Sequence, residues 1–313
     1  MIRFIKMELR HAMKSKIVVK FIIVATVLFS MILLMNFAAV NSTHSDFQTQ
    51  VKFAKENGED INVELKKEYK VTEQSSNSTH IENPLSFYKE LLDKSIFASS
   101  NEYRLTQIFE SSIVLFPIVF GVLGIFNATY DYRFKTIKLK AVAVNVNRKT
   151  LATGKRLTSW LISIVILVVS ISLAWLVGWA INSYLQQLHT FNTTVSLPLR
   201  DMGLKVAWTV FLAIFYCELG YTIGYITKNS SISIIAIFIV SYIMPMLNFN
   251  LGYFDINKAI LAISAQVFDY YGVIQNEFII HPFSFYSIAT LVFYALLMVI
   301  VNKTIASNRS NFE

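Results

Sequence analysis

Apolar runs of about twenty residues recur along this chain, separated by shorter polar stretches, and that spacing predicts helices crossing a bilayer. Ile17 to Val40 is the first, 24 residues broken only by Lys20, whose aliphatic stem lets its ammonium snorkel to the headgroups. The run is too long for the apolar core of a signal peptide, and Phe37-Ala38-Ala39-Val40 lacks a small-x-small cleavage site, so a retained anchor is expected. Phe109 to Tyr130, Leu157 to Ile181, Leu204 to Ile226, Ser231 to Leu247 and Phe283 to Val301 follow, making six predicted spans. Pro117 predicts a kink in the second, with Gly121 and Gly124 allowing a close neighbour; Trp175 and Trp179 suit a headgroup belt at the end of the third.

The polar stretches have patterns of their own. In Met1 to Lys20, Ile2, Ile5, Leu9 and Met13 recur at helical spacing among six cations, which predicts a basic amphipathic helix on the cytoplasmic face over residues 1–16; a plain charged flank accounts for it equally. Asn41 to Ile108 carries eight basic against eleven acidic residues and few large apolar ones. Two sub-segments read as helices, Asp46 to Lys55 and Leu85 to Ser95, separated by a Ser/Asn/Thr-rich stretch from Gln74 to Asn83, so a small, partly mobile helical cap outside the cell is expected. Thr227 to Ser230 is a tight turn. In Asn248 to Pro282, Ile256, Ile260, Ile263 and Val267 share a helical face and precede Phe268, Tyr270 and Tyr271, which predicts short helices half-sunk in the outer leaflet.

Composition sharpens the class. With 54% apolar and only 15% charged residues, and a mean hydropathy of +0.50, the chain falls well below the roughly 25% charge of soluble domains. The fold class is therefore an all-α polytopic membrane protein. The net charge of +8 belongs to membrane flanks, so lipid is the expected partner and nucleic acid is not. Asp131 to Arg156 has eight cations and one acid, whereas the regions assigned outside are neutral or acidic; the positive-inside rule then puts both termini in the cytoplasm. Cys217 is the only cysteine and reads as a small buried apolar residue.

Catalytic patterns are missing. Gly154-Lys155-Arg156 has no glycine five residues before Gly154 and no Ser or Thr after the lysine, so no phosphate loop is present; there is no H-E-x-x-H and no G-x-S-x-G. The chain is expected to be no enzyme, to hold no metal and to carry no cofactor of its own.

Three features remain as candidates. Glu218 is the acid placed deep in a predicted span, about 12 Å from the end at Ile226 and so near mid-bilayer. A charge there costs several kcal/mol unless paired, so Glu218 is either a path-lining or proton-carrying residue or a structural hydrogen-bonding one. Tyr216, Tyr221 and Tyr225 beside it either line a substrate path or pack as ordinary core. Gly220 and Gly224 form a G-x-x-x-G pair suited to close helix packing.

The third candidate is the connector DYRFKTIKLKAVAVNVNRKTLATGKR, residues 131–156. A solvated loop accounts for its cations, but Ile137, Leu139, Ala141, Val142, Val144 and Val146 are too apolar for a segment that meets only water, and a short helix laying them into a partner's groove is the other reading. The connector resembles that of permease subunits of the second-type ATP-binding-cassette (ABC) exporter family. There an acidic-aromatic-basic cluster ends the second span, and a short helix, a Ser/Asn-Arg pair and a Gly-Lys opening the third span follow. Asp131-Tyr132-Arg133, Lys135-Thr136-Ile137, Asn147-Arg148 and Gly154-Lys155 match in order, with Lys135 where the family has Gly and Val146 where it has Pro. The resemblance implies a coupling helix touching an ATPase through Arg133, Lys135, Ile137, Leu139, Val142, Val144 and Arg148, and a re-entrant hairpin between the last two spans. It implies two cytoplasmic ABC ATPase subunits holding the ATP and Mg, a second permease copy or paralogue, and outward movement of an amphipathic peptide, drug or lipid. The abundance of Lys, Asn and Ile fits an AT-rich bacterial genome, with peptide export or antimicrobial-peptide immunity as the expected role in the plasma membrane. A membrane sensor or scaffold whose cap binds a peptide without transport is the alternative.

Overall fold

A computed structural model describes residues 2–75, 78–133, 148–188, 196–247, 251–272 and 283–307. Helix α1 (Ile2–Lys14) is followed by Lys16, whose left-handed backbone (φ 59°) turns the chain into α2 (Ile17–Glu56). At 40 residues, α2 is about 60 Å long, twice the hydrocarbon thickness. No Gly or Pro interrupts it, so the helix expected over Asp46 to Lys55 is the continuation of the first span and not a separate element. It stops where Gly58 adopts φ 73° and the Glu59 N–H donates to the Ala54 carbonyl at 3.0 Å.

Beyond it the cap departs from an all-helical expectation. After α3 (Ile61–Glu64), β1 (Lys70–Ser75) and β2 (Ser78–Glu82) pair antiparallel with Val71 opposite Ile81 and Thr72 opposite His80. Val71, Thr72 and Ile81 are β-branched and favour the pleated pairing, so part of the polar stretch expected as a separator becomes a hairpin. Helix α4 (Pro84–Ala98), opened by Pro84, then packs against α2.

The second span is built in pieces. After α5 (Arg104–Glu110), α6 (Ser112–Phe116) runs into a π-turn at Pro117–Gly121 and continues as α7 (Val122–Arg133). Pro117 has no N–H to give to the α-helical ladder, which localises the distortion where the sequence predicts a kink. Helix α8 (Arg148–Leu188), α9 (Met202–Thr227), α10 (Ser230–Phe238, extended to Met246 by a second π-turn), α11 (Ile256–Val267) and α12 (Phe285–Ser307) complete the described chain.

The protein is mostly helical, and five of its described helices are long and apolar enough to cross a membrane: Ile17–Glu56, Ser112–Tyr130, Lys149–Ser183, Met202–Thr227 and Phe285–Ser307. The helix at the predicted span Ser231 to Leu247 runs over Ser230–Met246 and falls among the shorter apolar helices; its 17 residues reach only about 25 Å. The second span and α9 are the most enclosed of the five, while α2 and α12 leave most of their apolar surface outward, where lipid would cover it.

Helix α9 is the spine, packed against the second span, α8, α10, α11 and α12. Its contact with the second span is a backbone-to-backbone approach. A Cβ at Gly220 would lie 1.9 Å from the Gly121 carbonyl oxygen, and one at Gly124 would lie 2.0 Å from that of Cys217. Gly224 sits at the same contact, facing Ala128 and Ile125. Around this seam the core gathers Phe29, Phe116, Phe120, Leu123, Ile166, Leu212 and Cys217.

One end of the bundle, here the connector end, carries α1, the C-termini of α7, α9 and α12 and the start of α8; the other is the cap end. Helix α1 docks by seating Phe4, fully buried, against Gly154 of α8. The packed side runs through Phe4, Glu8 and Ala12 and takes in Leu9 of the predicted apolar stripe, whereas Met13 of that stripe is exposed. In α11, Asp255 caps the Asn257 and Lys258 N–H groups, and Ile256 and Ile260 are buried as their spacing predicts, with Ile263 packed at the edge of the core.

Candidate functional site

Two buried polar clusters hang on α9, thirteen residues apart at Lys205 and Glu218, or about 20 Å along the helix. At the connector-end cluster, Glu218 Oε1 accepts from Arg156 Nη2 at 2.8 Å and from Asn302 Nδ2 at 2.8 Å, and Oε2 accepts from Trp160 Nε1 at 2.8 Å. Asn302 also donates to Thr222 Oγ1 at 2.8 Å. The guanidinium of Arg156 lies 5.4 Å from the Trp160 ring centre, so the indole holds both members of the ion pair. Arg156 and Trp160 are one turn apart on α8, Glu218 and Thr222 one turn apart on α9, and Asn302 comes from α12, so each helix presents its contribution on a single face. Both carboxylate oxygens are supplied with donors, so Glu218 is tied to α8 and α12.

Its neighbours are packed as well. Tyr221 and Tyr225 are buried with Ala128, their ring centres 5.7 Å apart, against Tyr132 and Ile305; Tyr216 belongs to the main core. All three rings are buried within the bundle. Tyr132, the aromatic member of Asp131-Tyr132-Arg133, has the Lys228 ammonium 5.6 Å from its ring centre. An open cleft of about 410 Å³ lies beside this assembly, where Glu8, His11, Asn127, Tyr130 and Lys155 meet from α1, α7 and α8. Lys155 donates to the Asn127 carbonyl at 3.2 Å across the helices that bound the connector.

Arg133 ends α7 and Arg148 begins α8. Lys135, Ile137, Leu139, Val142 and Val144 lie outside the described residues, so the coupling surface expected from them has no structural description.

The cap-end cluster joins α5, α9 and the turn after α11. Lys205, fully buried, pairs with Asp269 and donates to Thr106 Oγ1 at 3.4 Å. Arg200 donates to the Ala265 and Phe268 carbonyls at 2.5 and 2.8 Å, and its backbone N–H donates to Asp269 Oδ1 at 3.0 Å. Glu110 accepts from the Tyr103 hydroxyl and, at 2.6 Å, from the Tyr270 N–H, while Tyr103 accepts from the Tyr271 N–H at 2.9 Å. Glu110 precedes the span that starts at Ser112. Burial pushes its carboxyl up to about 8, against the pull of those two donors.

Sequence reasoning singled out Glu218 but none of its partners. Arg156 counts there as the last cation of a loop, yet α8 begins eight residues earlier, which draws it about 12 Å into the bundle. Lys205, one turn into a span, and Asp269, in an apolar-aromatic stretch, were a legible signal, since opposite charges at comparable depth have reason to meet. Among the described residues no group of His, Cys, Asp and Glu is arranged to hold a metal. Comparison of the chain with protein-family models, with curated proteins and with solved structures finds no match.

Proposed function

We propose that this chain is the membrane-spanning permease subunit of a second-type ABC exporter, working with cytoplasmic ATPase subunits and a second permease copy or paralogue. The observation that carries the reading is the layout of the connector end. The end of α7 and the start of α8, which bound the basic connector, converge there with the docked α1. The Glu218 cluster ties α8, α9 and α12 into one unit directly behind them. A force on the connector would pass along α8 through Arg156 to α9 and Asn302 as a rigid-body motion, because the ion pair and its hydrogen bonds resist shear between those helices.

In this reading ATP and Mg stay on the partner, and the chain contributes levers and a path for an amphipathic peptide, drug or lipid moving outward, in export or in immunity to an antimicrobial peptide. Six spans are part of it, with α10 crossing a locally thinned bilayer and both termini in the cytoplasm of a bacterium. A second reading, a sensor whose cap binds a peptide, is favoured by one feature. A cleft of about 640 Å³ at the cap end is lined by Tyr69, Phe87, Glu90, Tyr270 and Tyr271, and such aromatic walls with a few polar groups suit a peptide side chain.

Purification of the full-length protein from its native membrane separates the two. The permease reading expects an ABC ATPase to come with it and the double variant Arg133→Glu, Lys135→Glu to lower that recovery about tenfold, one decade for each ~1.4 kcal/mol of lost charge complementarity. A wild-type protein that carries no ATPase yet binds a peptide at its cap would leave the sensor standing.

A further inference from the structure

At the cap end, a narrow cleft opens between α2, α5 and the Gly178 face of α8. Its walls are apolar, from Leu33, Phe37 and Ile181, and its head is polar, from Arg104, Gln107 and Asn182. Arg104 dominates it. The side chain is 3% exposed, stacks 5.8 Å from the centre of the Trp175 ring, and gives Nη2 to Asn101 Oδ1, which also receives Asn182 Nδ2 at 3.1 Å. Nη1 is buried with no hydrogen-bond partner, and no carboxylate among the described residues pairs with this guanidinium.

A buried cation without a counter-charge is costly, so an anion is the missing component. Depth says which kind. The apolar run of α2 ends at Val40, three residues beyond Phe37, and Trp175 and Trp179 sit toward the end of the apolar part of α8. The cleft therefore lies where hydrocarbon gives way to headgroups, with apolar walls for acyl chains and a fork of N–H donors above them. Guanidinium matches the paired oxygens of a phosphate in geometry as well as in charge.

We propose that this cleft is a binding site for a membrane phospholipid, its phosphate held by Arg104 and its acyl chains lying between α2 and α8. The site is independent of the transport reading, since it involves neither the connector nor the Glu218 cluster.

The test uses the full-length protein in detergent. Phosphatidylglycerol should raise the melting temperature of the wild type, while diacylglycerol with the same acyl chains should not, because it lacks the phosphate. Native mass spectrometry should find the phospholipid retained on the wild type and about tenfold less of it on Arg104→Gln, the loss expected when a charge-assisted pair becomes a neutral contact. Equal stabilisation by both lipids would overturn the proposal without recourse to any variant. Undiminished retention by Arg104→Gln would overturn it too, as would displacement of the lipid by millimolar inorganic phosphate, which would make the site one for a free anion.

Discussion

Glu218→Ala is expected to destabilise the protein by about 3–5 kcal/mol, because it leaves the Arg156 guanidinium enclosed with its carboxylate gone. The Arg156 side chain is only 13% exposed, and Asn302 and Trp160 lose an acceptor in the same stroke. Against a total stability of about 5–15 kcal/mol, that loss should collapse the yield of folded protein in detergent. Arg156→Ala should cost a similar amount for the mirror reason. The double variant Arg156→Met, Glu218→Leu should recover at least half of the loss, since an apolar pair of similar volume carries no desolvation penalty. Thermal melts of wild type, both single variants and the double decide it: losses that add in the double variant would mean the two side chains do not act as a pair.

The second large effect is expected at the glycine seam. Gly124→Leu puts a side chain where a Cβ alone would be 2.0 Å from the Cys217 carbonyl oxygen and 2.7 Å from the Tyr221 nitrogen. Both are backbone atoms of α9, so no rotamer change relieves the clash and the helices must separate. The cost should exceed the ~1–3 kcal/mol of ordinary overpacking and prevent assembly of the bundle. Gly224→Ala is the control. Its Cβ would meet Ala128 Cβ and Ile125 Cα at 3.1 Å, which a shift of a few tenths of an ångström absorbs, so a loss below about 1 kcal/mol is expected. Melting and size-exclusion profiles of the two variants would expose an error here if Gly124→Leu assembled normally.

Membrane character and the run of long helices were legible in the sequence because hydropathy length and helix geometry are tied to one number, the thickness of the hydrocarbon. Pro117 marked its distortion for a local reason, the missing N–H, and Gly220 marked a close contact because nothing larger fits one. The cap was harder. Local polarity over Asn41 to Lys55 signals departure from the membrane but says nothing about helix continuity, which the absence of a breaker before Gly58 decided. Short β-branched clusters such as Val71-Thr72 carry too little pattern to announce a hairpin whose stability comes from the partner strand. Helix α1 shows the limit of a periodicity argument: of the predicted stripe Leu9 packs against the core and Met13 is exposed, while Phe4, outside the stripe, is fully buried against Gly154.

At the candidate site, one residue could be read and its company could not. Glu218 stood out as a charge in an apolar run. Its partners come from positions 156, 160 and 302, and nothing in the chain's local pattern brings those three together. Only the packing of α8, α9 and α12 does. Lys205 and Asp269 illustrate the same point at the cap end, where pairing depends on the turn after α11 folding back over the start of α9.

Sidedness is the premise on which the proposed function rests, for the basic connector must meet the compartment that holds ATP. The native chain offers a clean background, because Cys217, its sole thiol, is fully buried. Single cysteines at Lys138 in the connector and at exposed Glu59 in the cap can then be probed in intact cells with a membrane-impermeant maleimide. Glu59→Cys should label at once and Lys138→Cys only after the cells are permeabilised. Labelling of Lys138→Cys from outside, with Glu59→Cys protected, would contradict it.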